Sequence, residues 1–215
     1  SEMCIRDRSI LAQSIQPQNI YVVENVPNTG VKEHINRSFG NLVKVIDGLN
    51  KPINIAYARN LGAKMSQSDI LVFMDDDVII VAESLKRTFY LLRVVKDEYQ
   101  DRFVSGAMLY YEKMNVQHED VGYVHKDGSY GPQKPSFELQ KWDSVVKNEE
   151  NYDKFDDHYA GWWYCCIPTT YIEANKLPLP LFIRGDDVEY SLRNDAKFIT
   201  LNGICIWHMG FVTTV

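Results

Sequence analysis

The first half of the chain alternates short apolar runs with amphipathic segments of about ten residues. Apolar and β-branched runs predict three strands, at Ile20–Val23, Leu42–Ile46 and Ile70–Met74. Between them, residues 31–39 and 55–65 predict helices, the second capped by Asn54. Because strands that alternate with helices build parallel sheets, we expect an α/β fold with a mostly parallel sheet flanked by helices.

In the second half the periodicity is interrupted by a polar segment. Residues 82–99 predict a helix and Phe103–Tyr111 a strand. From Glu112 to Glu150 the pattern weakens, apart from a hairpin turn at Asp127-Gly128, and we interpret this segment as a loop over a site. The remaining predicted elements are a strand at Tyr159–Ile167, a helix at Thr169–Asn175, a helix at Asp187–Asp195 and a strand at Phe198–Ile206.

Size and charge narrow the class of protein. The 215 residues, 45% of them hydrophobic, are sized for one domain. A net charge of -6 argues against nucleic acid as a partner, because such faces carry clustered Lys and Arg. Charges break the apolar runs well before the roughly 18 residues of a membrane helix. The four cysteines form no CxxC pair, so we expect reduced cysteines in a cytoplasmic protein, with Cys165 and Cys166 on opposite faces of a strand.

Three adjacent acids, Asp75-Asp76-Asp77, lie between two of the most apolar stretches of the chain. Ionised carboxylates beside a core need a cation or hydrogen-bond donors, and hard oxygen ligands select Mg²⁺ or Mn²⁺. The end of a parallel strand is also where such sheets bind ligands. A solvated turn is the alternative for an isolated acidic triplet. The flanking sequence favours a metal site that serves a nucleotide diphosphate.

The run Asn54–Gly62, followed by Asp69–Asp77, resembles the ARN helix and DxD strand of GT-A fold, family 2 glycosyltransferases. The resemblance implies a Mn²⁺ or Mg²⁺ ion, bound through Asp75 and Asp77, that bridges the diphosphate of a nucleotide sugar. It also implies nucleotide-sugar contacts from a set of four nearby residues, Arg59, Asn60, Asp75 and Asp76.

Three later motifs, Gly161–Cys165, Phe182–Arg193 and Trp207–Met209, look like those of polymerising galactofuranosyltransferases within this family. The last of them implies that His208 is the third metal ligand. Without that resemblance, a lone histidine is more often a satisfied polar residue. The resemblance covers about residues 9 to 211.

The acids of the second motif suit the chemistry of an inverting transfer. A carboxylate must accept the proton of the acceptor hydroxyl, and Asp186 and Asp187 are the candidates. The resemblance favours Asp187 as the base and leaves Asp186 to hold the acceptor; an acidic first turn of a helix is the structural alternative. Trp162 and Trp163 would point to opposite faces of a strand, so at most one of them stacks on a sugar.

The sequence departs from the family pattern at both ends. Glu24-Asn25 stands where the family usually has an Asp-containing turn, so these two residues are weaker candidates for nucleotide contacts. Residues 10–14 resemble the end of the family's first helix, yet no strand precedes them, and residues 1–8 resemble foreign sequence in place of that strand. We therefore interpret residues 1–215 as a single GT-A domain, without its first strand and truncated at both ends.

These features predict a metal-dependent, inverting glycosyltransferase that acts in cell-surface polysaccharide synthesis. The expected donor is a UDP-sugar, with galactofuranose resting on the resemblance alone, and the expected acceptor is a glycan or lipid-linked glycan. Peripheral association with the inner face of a membrane is expected of the full-length protein. Two other functions stay open at this point: a sugar nucleotidyltransferase and a non-catalytic carbohydrate-binding domain.

Overall fold

The computed structural model describes residues 8–24, 26, 29–47, 54–134, 136–150, 157–181 and 185–209. The strands in chain order are β1 Ile20–Glu24, β2 Val43–Asp47, β3 Ile70–Phe73, β4 Val78–Ile80, β5 Phe103–Ser105, β6 Ala107–Tyr110, β7 Lys113–Glu119, β8 Gly122–Val124, β9 Tyr130–Pro132, β10 Phe137–Glu138, β11 His158–Tyr159, β12 Cys165–Pro168, β13 Phe198–Ile199 and β14 Cys205–His208. The α-helices are α1 Val31–Phe39, α2 Ile55–Met65, α3 Ser84–Val94, α4 Trp142–Asn148, α5 Thr169–Asn175 and α6 Asp186–Arg193. None of these helices is long and apolar enough to cross a membrane.

The first half folds as its periodicity predicts. Both predicted helices are present with the expected bounds, and the three predicted strands differ from the observed ones by a residue or two. The Asn54 side chain caps α2 by accepting a hydrogen bond from the N–H of Tyr57 at 2.7 Å. This cap sets where α2 begins, and therefore which of its side chains face the sheet.

The strands form several small sheets of mixed direction. β1 and β2 pair only with each other among the described strands, whereas β3 joins a sheet of order β13-β5-β12-β3. A five-stranded sheet has the order β10-β7-β6-β14-β4, and a three-stranded sheet the order β11-β8-β9. The α/β class is confirmed, but the described pairs are parallel only at β1–β2, β5–β13 and β6–β14. Mostly parallel pairing was expected because helices separate the early strands. Later in the chain, short turns join β6 to β7 and β8 to β9, and strands joined in this way pair antiparallel.

Several predicted elements of the second half are shorter than expected. The helix predicted over residues 82–99 ends at Val94 and is followed by a 3₁₀ turn. The strand predicted at residues 103–111 is interrupted at Gly106, where an added Cβ would meet the Tyr164 ring at 2.5 Å. The strands predicted at residues 159–167 and 198–206 are each split in two by a turn. The segment expected as a loop, residues 112–150, contains β7 to β10 and α4.

The core has two apolar clusters that share β12. One contains Phe103, Trp162 and Cys165, and the other contains Tyr164 and Cys166. Both cysteines are buried and free, on opposite faces of the strand as predicted. Because Cys165 pairs with the last residue of β3, the turn that precedes it lies beside the acidic triplet.

A glycine in β8 leaves the space that Tyr159 occupies. A Cβ added at Gly122 would lie 2.2 Å from the Tyr159 ring. We expect Gly122→Ala to lower the free energy of unfolding by about 1–3 kcal/mol, because the ring cannot move without disturbing its packing. Gly131→Ala in the neighbouring strand is the matched control, since nothing lies within 4 Å of its added Cβ. Urea denaturation of both variants measures the difference; equal stabilities would contradict this packing.

Candidate active site

The strand register brings the acidic triplet and the last histidine together. Val78, which follows the triplet, lies opposite His208 in the antiparallel pair of β4 and β14. One ligand atom from each of Asp75, Asp77 and His208 lies within 4.8 Å of the other two. Two carboxylates and an imidazole form a donor set that suits Mn²⁺ and also accommodates Mg²⁺. The three residues predicted to bind a metal are therefore neighbours, and the bound metal itself stays a prediction.

His208 is oriented as metal-binding histidines commonly are. Its Nδ1–H donates to the carbonyl of Met209, and its Nε2 lies 3.2 Å from Oδ1 of Asp77. A carbonyl on the second ring nitrogen fixes the tautomer and aims the first at the metal. Burial lowers the pKa of His208, but the hydrogen bond and charge of Asp77 outweigh burial and raise it above 6.5. A proton and a divalent cation would compete for the same nitrogen, so the residues fit a cation.

Arg59 of α2 joins the acidic triplet to the helix that carries the candidate base. Its Nη2 donates to Oδ1 of Asp75 at 2.5 Å, and its Nη1 donates to Oδ2 of Asp186 at 2.6 Å. The guanidinium carbon also lies 5.3 Å from the centre of the Trp162 ring. Burial raises the pKa of Asp75, although the charge of Arg59 opposes that rise.

The candidate base lies in the first turn of α6. Gly185 precedes this helix in a left-handed conformation, with φ 89°, and Asp186 behind it is buried. Burial and the charge of Asp186 raise the pKa of Asp187 to about 6, while a hydrogen bond from the N–H of Val188 lowers it. The N-terminus of a helix favours the ionised form of a carboxylate in its first turn. Burial outweighs that effect, yet a pKa of about 6 still leaves the carboxylate ionised at pH 7.

Glu119 is a buried acid near Asp187 that the motif analysis did not select. Its exposed fraction is 2%, one carboxyl oxygen accepts from the Tyr159 hydroxyl at 3.2 Å, and Oε1 is buried without a hydrogen-bond partner. Burial raises the pKa of Glu119 to about 8, and the negative charge of Asp187 adds to the rise. No motif marks it, because it ends a strand within the segment interpreted as a loop. The two adjacent acids Glu119-Asp120 were the one available signal.

The raised pKa of Glu119 predicts a pH-dependent loss of stability. The folded pKa lies above the unfolded value of 4.5, so the stabilisation is complete below pH 4.5 and is lost as pH rises to about 8. We expect Glu119→Gln to remove up to about 1.4 kcal/mol of that loss per pH unit. Urea denaturation between pH 5 and pH 8 measures the slope, with the exposed Glu138→Gln as control. An unchanged slope in Glu119→Gln would show that this acid titrates normally.

The predicted nucleotide contacts lie in different surroundings. Glu24, at the end of β1, is buried and accepts hydrogen bonds from the backbone and hydroxyl of Thr29. Asn25 lies outside the described residues. Asn60 donates its side-chain amide to the carbonyl of Pro178 at 2.9 Å, and Asp76 is exposed in the turn of the triplet. None of these contacts tests nucleotide binding, which stays a prediction for these residues and for Arg59 and Asp75.

Both tryptophans of the Gly161–Cys165 motif lie in the core. They occupy a turn between β11 and β12 and not a strand, so the expectation of opposite faces does not apply. Trp162 stacks on Phe73 with ring centres 4.7 Å apart, and the indole N–H of Trp163 donates to the carbonyl of Gly106. Their exposed fractions are 1% and 8%. A sugar contact from either ring remains a prediction, which this packing does not support.

The geometry agrees with what comparison with known proteins finds. A family model described as "Glycosyl transferase family 2" matches residues 8–164. The chain belongs to this family. A galactofuranosyltransferase GlfT2 of Mycobacterium tuberculosis strain H37Rv is 28% identical over 184 residues, which cover 80% of this chain and 28% of that protein. GlfT2 of Mycolicibacterium smegmatis is 30% identical over 168 residues, covering 72% of this chain and 26% of that protein.

Solved structures of glycosyltransferases share the fold. GalNAc-T7, solved with UDP, GalNAc and Mn²⁺, matches 97% of this chain and 40% of its own, with a TM-score of 0.64 and 14% identity. TarS 1–349 of S. aureus, solved with UDP-GlcNAc, matches 98% of this chain and 55% of its own, with a TM-score of 0.64 and 13% identity. These likenesses confirm the predicted GT-A fold. Membership of family 2 also favours the glycosyltransferase prediction over a nucleotidyltransferase or a non-catalytic carbohydrate-binding domain.

Proposed function

We propose that this domain transfers a sugar from a UDP-sugar to a hydroxyl of a glycan or lipid-linked glycan, with inversion and with Mn²⁺ or Mg²⁺ bound by Asp75, Asp77 and His208. Galactofuranose is the proposed sugar, because both matched relatives are named galactofuranosyltransferases. Two of the structural neighbours hold Mn²⁺ with a nucleotide or nucleotide sugar, and one holds UDP-GlcNAc, which supports this class of donor and cofactor. We place the reaction at the cytoplasmic face of a membrane, in the synthesis of a cell-surface polysaccharide.

The observation that carries the proposal is the closeness of the two acidic halves of the site. A single guanidinium, that of Arg59, contacts both Asp75 of the triplet and Asp186 of α6. Asp187 follows Asp186 in the chain and is near enough to Asp75 for the charge of Asp75 to raise its pKa. A base close to the metal ligands suits a direct displacement at the anomeric carbon.

In the proposed reaction, Asp187 accepts the proton of the acceptor hydroxyl as its oxygen attacks the anomeric carbon of the donor. Its pKa of about 6 keeps it ionised at neutral pH while leaving it a useful base. The bond from the anomeric carbon to the diphosphate breaks in the same step. A divalent cation would neutralise the negative charge that develops on the leaving diphosphate. Glu119, which accepts a hydrogen bond from the Tyr159 hydroxyl, is near enough to Asp187 for the charge of Asp187 to raise its pKa, and we propose that this pair shapes the acceptor site.

Transfer assays with the intact enzyme test this function. We expect sugar transfer from UDP-galactofuranose to a galactan acceptor in the presence of Mn²⁺ and none after chelation by EDTA. A panel of other UDP-sugars determines which donor the enzyme prefers. An incubation with an NTP and a sugar phosphate tests for nucleotidyl transfer. Transfer that persists at full rate in EDTA would contradict the metal dependence. Formation of a UDP-sugar from UTP and a sugar phosphate would contradict the glycosyltransferase proposal.

A further inference from the structure

Arg59 has both terminal nitrogens on carboxylates that are distant in sequence. Nη1 and Nη2 contact Asp186 and Asp75, which lie 127 and 16 residues away along the chain. The Arg59 side chain is 14% exposed, and its guanidinium lies against the ring of Trp162. The nitrogens that would have to clamp a diphosphate are thus already committed to protein acids.

We propose that Arg59 is a positioning residue that fixes the candidate base helix relative to the candidate metal ligands, and that it does not bind the donor phosphates itself. This inference rests on the proposed function. Asp186 directly precedes Asp187 in the chain. The contact of Arg59 with Asp186 therefore also fixes the position of Asp187. Asp75 has a second carboxyl oxygen, which leaves it able to serve a cation while Arg59 holds the first.

The chemistry of the guanidinium suits this role better than that of any other side chain. Its planar fork spans two carboxylates in fixed directions, whereas a lysine ammonium is a single point of charge. The carboxylates of the buried Asp186 and the half-buried Asp75 repel each other, and a cation between them offsets that repulsion. The stack of Arg59 on Trp162, and of Trp162 on Phe73, holds the plane of the fork.

A second set of contacts from α2 points to the same role. Asn54 donates its side-chain amide to the carbonyl of Pro180 at 3.0 Å, and Asn60 donates to the carbonyl of Pro178 at 2.9 Å. Both carbonyls belong to the segment that leads toward α6. One helix therefore holds the chain before α6 through two asparagines and the first turn of α6 through Arg59.

A double-mutant cycle in the intact enzyme tests the inference. We expect Arg59→Lys to lower kcat about tenfold or more and to leave the KM for the UDP-sugar within about twofold. Asp186→Asn should lower kcat similarly, and the double variant should be no slower than the slower single variant, because the two changes break one contact. Arg93→Lys, at an exposed position of α3, is the matched control and should keep the parental kcat.

Other outcomes separate the alternatives. An Arg59→Lys enzyme with a tenfold higher donor KM, an unchanged kcat and an effect that multiplies with Asp186→Asn would assign Arg59 to the phosphates and overturn the proposal. If the parental enzyme transfers no sugar, the proposed function fails. In that case, urea denaturation of the same three variants tests whether Arg59 positions α6. Non-additive shifts of the denaturation midpoint support the proposal, and additive shifts overturn it. If the enzyme is active, and Arg59→Lys and Asp186→Asn shift the denaturation midpoint non-additively but leave kcat unchanged, Arg59 only stabilises the fold and the proposal is wrong.

Discussion

Asp187→Asn is expected to lower the rate of sugar transfer roughly 10²-fold or more while UDP affinity stays nearly unchanged. Asparagine keeps the shape of the side chain, and it still accepts the hydrogen bond from the N–H of Val188. It cannot accept the proton of the acceptor hydroxyl at neutral pH. Because the carboxylate is proposed to act only when the acceptor attacks, its loss lowers kcat and not the binding of the donor.

The pH dependence of the parental enzyme checks the same assignment. Burial and the neighbouring Asp186 raise the pKa of Asp187 to about 6, so the carboxylate is protonated below that pH and cannot act as a base. We expect kcat/KM to fall as pH drops through about 6, and we expect this limb to disappear from the residual activity of Asp187→Asn. Calorimetry with UDP confirms that the donor site is intact in the variant.

The neighbouring acid provides the contrast for this test. Asp186→Asn also loses activity in our account, through the contact with Arg59, but it keeps an acidic limb because Asp187 remains. That limb should move to lower pH, since the charge of Asp186 no longer raises the pKa of Asp187. The sequence-based alternative, in which Asp186 holds the acceptor, predicts mainly a higher acceptor KM. If Asp187→Asn transfers sugar at the parental rate, the base is not Asp187. A loss of both rate and acidic limb in Asp186→Asn would then assign the base to that residue.

Local signals were sufficient for the elements that end at the site. An apolar run that stops at three aspartates predicted β3 and its loop, and an asparagine before a periodic segment predicted the start of α2. The acidic first turn of α6 was also visible as Gly185 followed by two acids. Each of these features is set by residues within a few positions of one another, which is the range that periodicity and capping rules cover.

Features that depend on tertiary pairing were beyond those rules. The turn at residues 162–164 reads as a continuous aromatic strand, and only its packing against Phe73 and Gly106 shows why the chain bends there. Likewise, the contact of Arg59 with Asp186 joins residues 127 positions apart, so local patterns in the sequence do not reveal it. Glu119 belongs to no recognised motif. It is of interest because it is buried near Asp187, and this depends on the tertiary fold and cannot be predicted from a single sequence.

The second large effect concerns the metal. We expect Asp77→Asn to weaken Mn²⁺ binding roughly 100-fold or more, because an amide oxygen lacks the charge of the carboxylate that it replaces. UDP binding in the presence of Mn²⁺ should weaken with it, whereas any UDP binding in EDTA should stay at the parental level. Isothermal titration calorimetry with Mn²⁺, with UDP and with both together measures each contribution. Asp97→Asn, in the exposed 3₁₀ turn after α3, is the matched control.

The choice of Asp77 makes this test independent of the Arg59 contacts. Asp75 accepts a hydrogen bond from Arg59, so removing its charge would disturb two interactions at once. Oδ1 of Asp77 lies 3.2 Å from Nε2 of His208, and the Asp77 side chain is 59% exposed, so the amide should be accommodated without loss of stability. A weaker Mn²⁺ site in a stable Asp77→Asn variant therefore reports on ligation alone. Equal Mn²⁺ affinity in the variant and the parental protein would show that the cluster of Asp75, Asp77 and His208 is an ion pair within the fold and holds no metal.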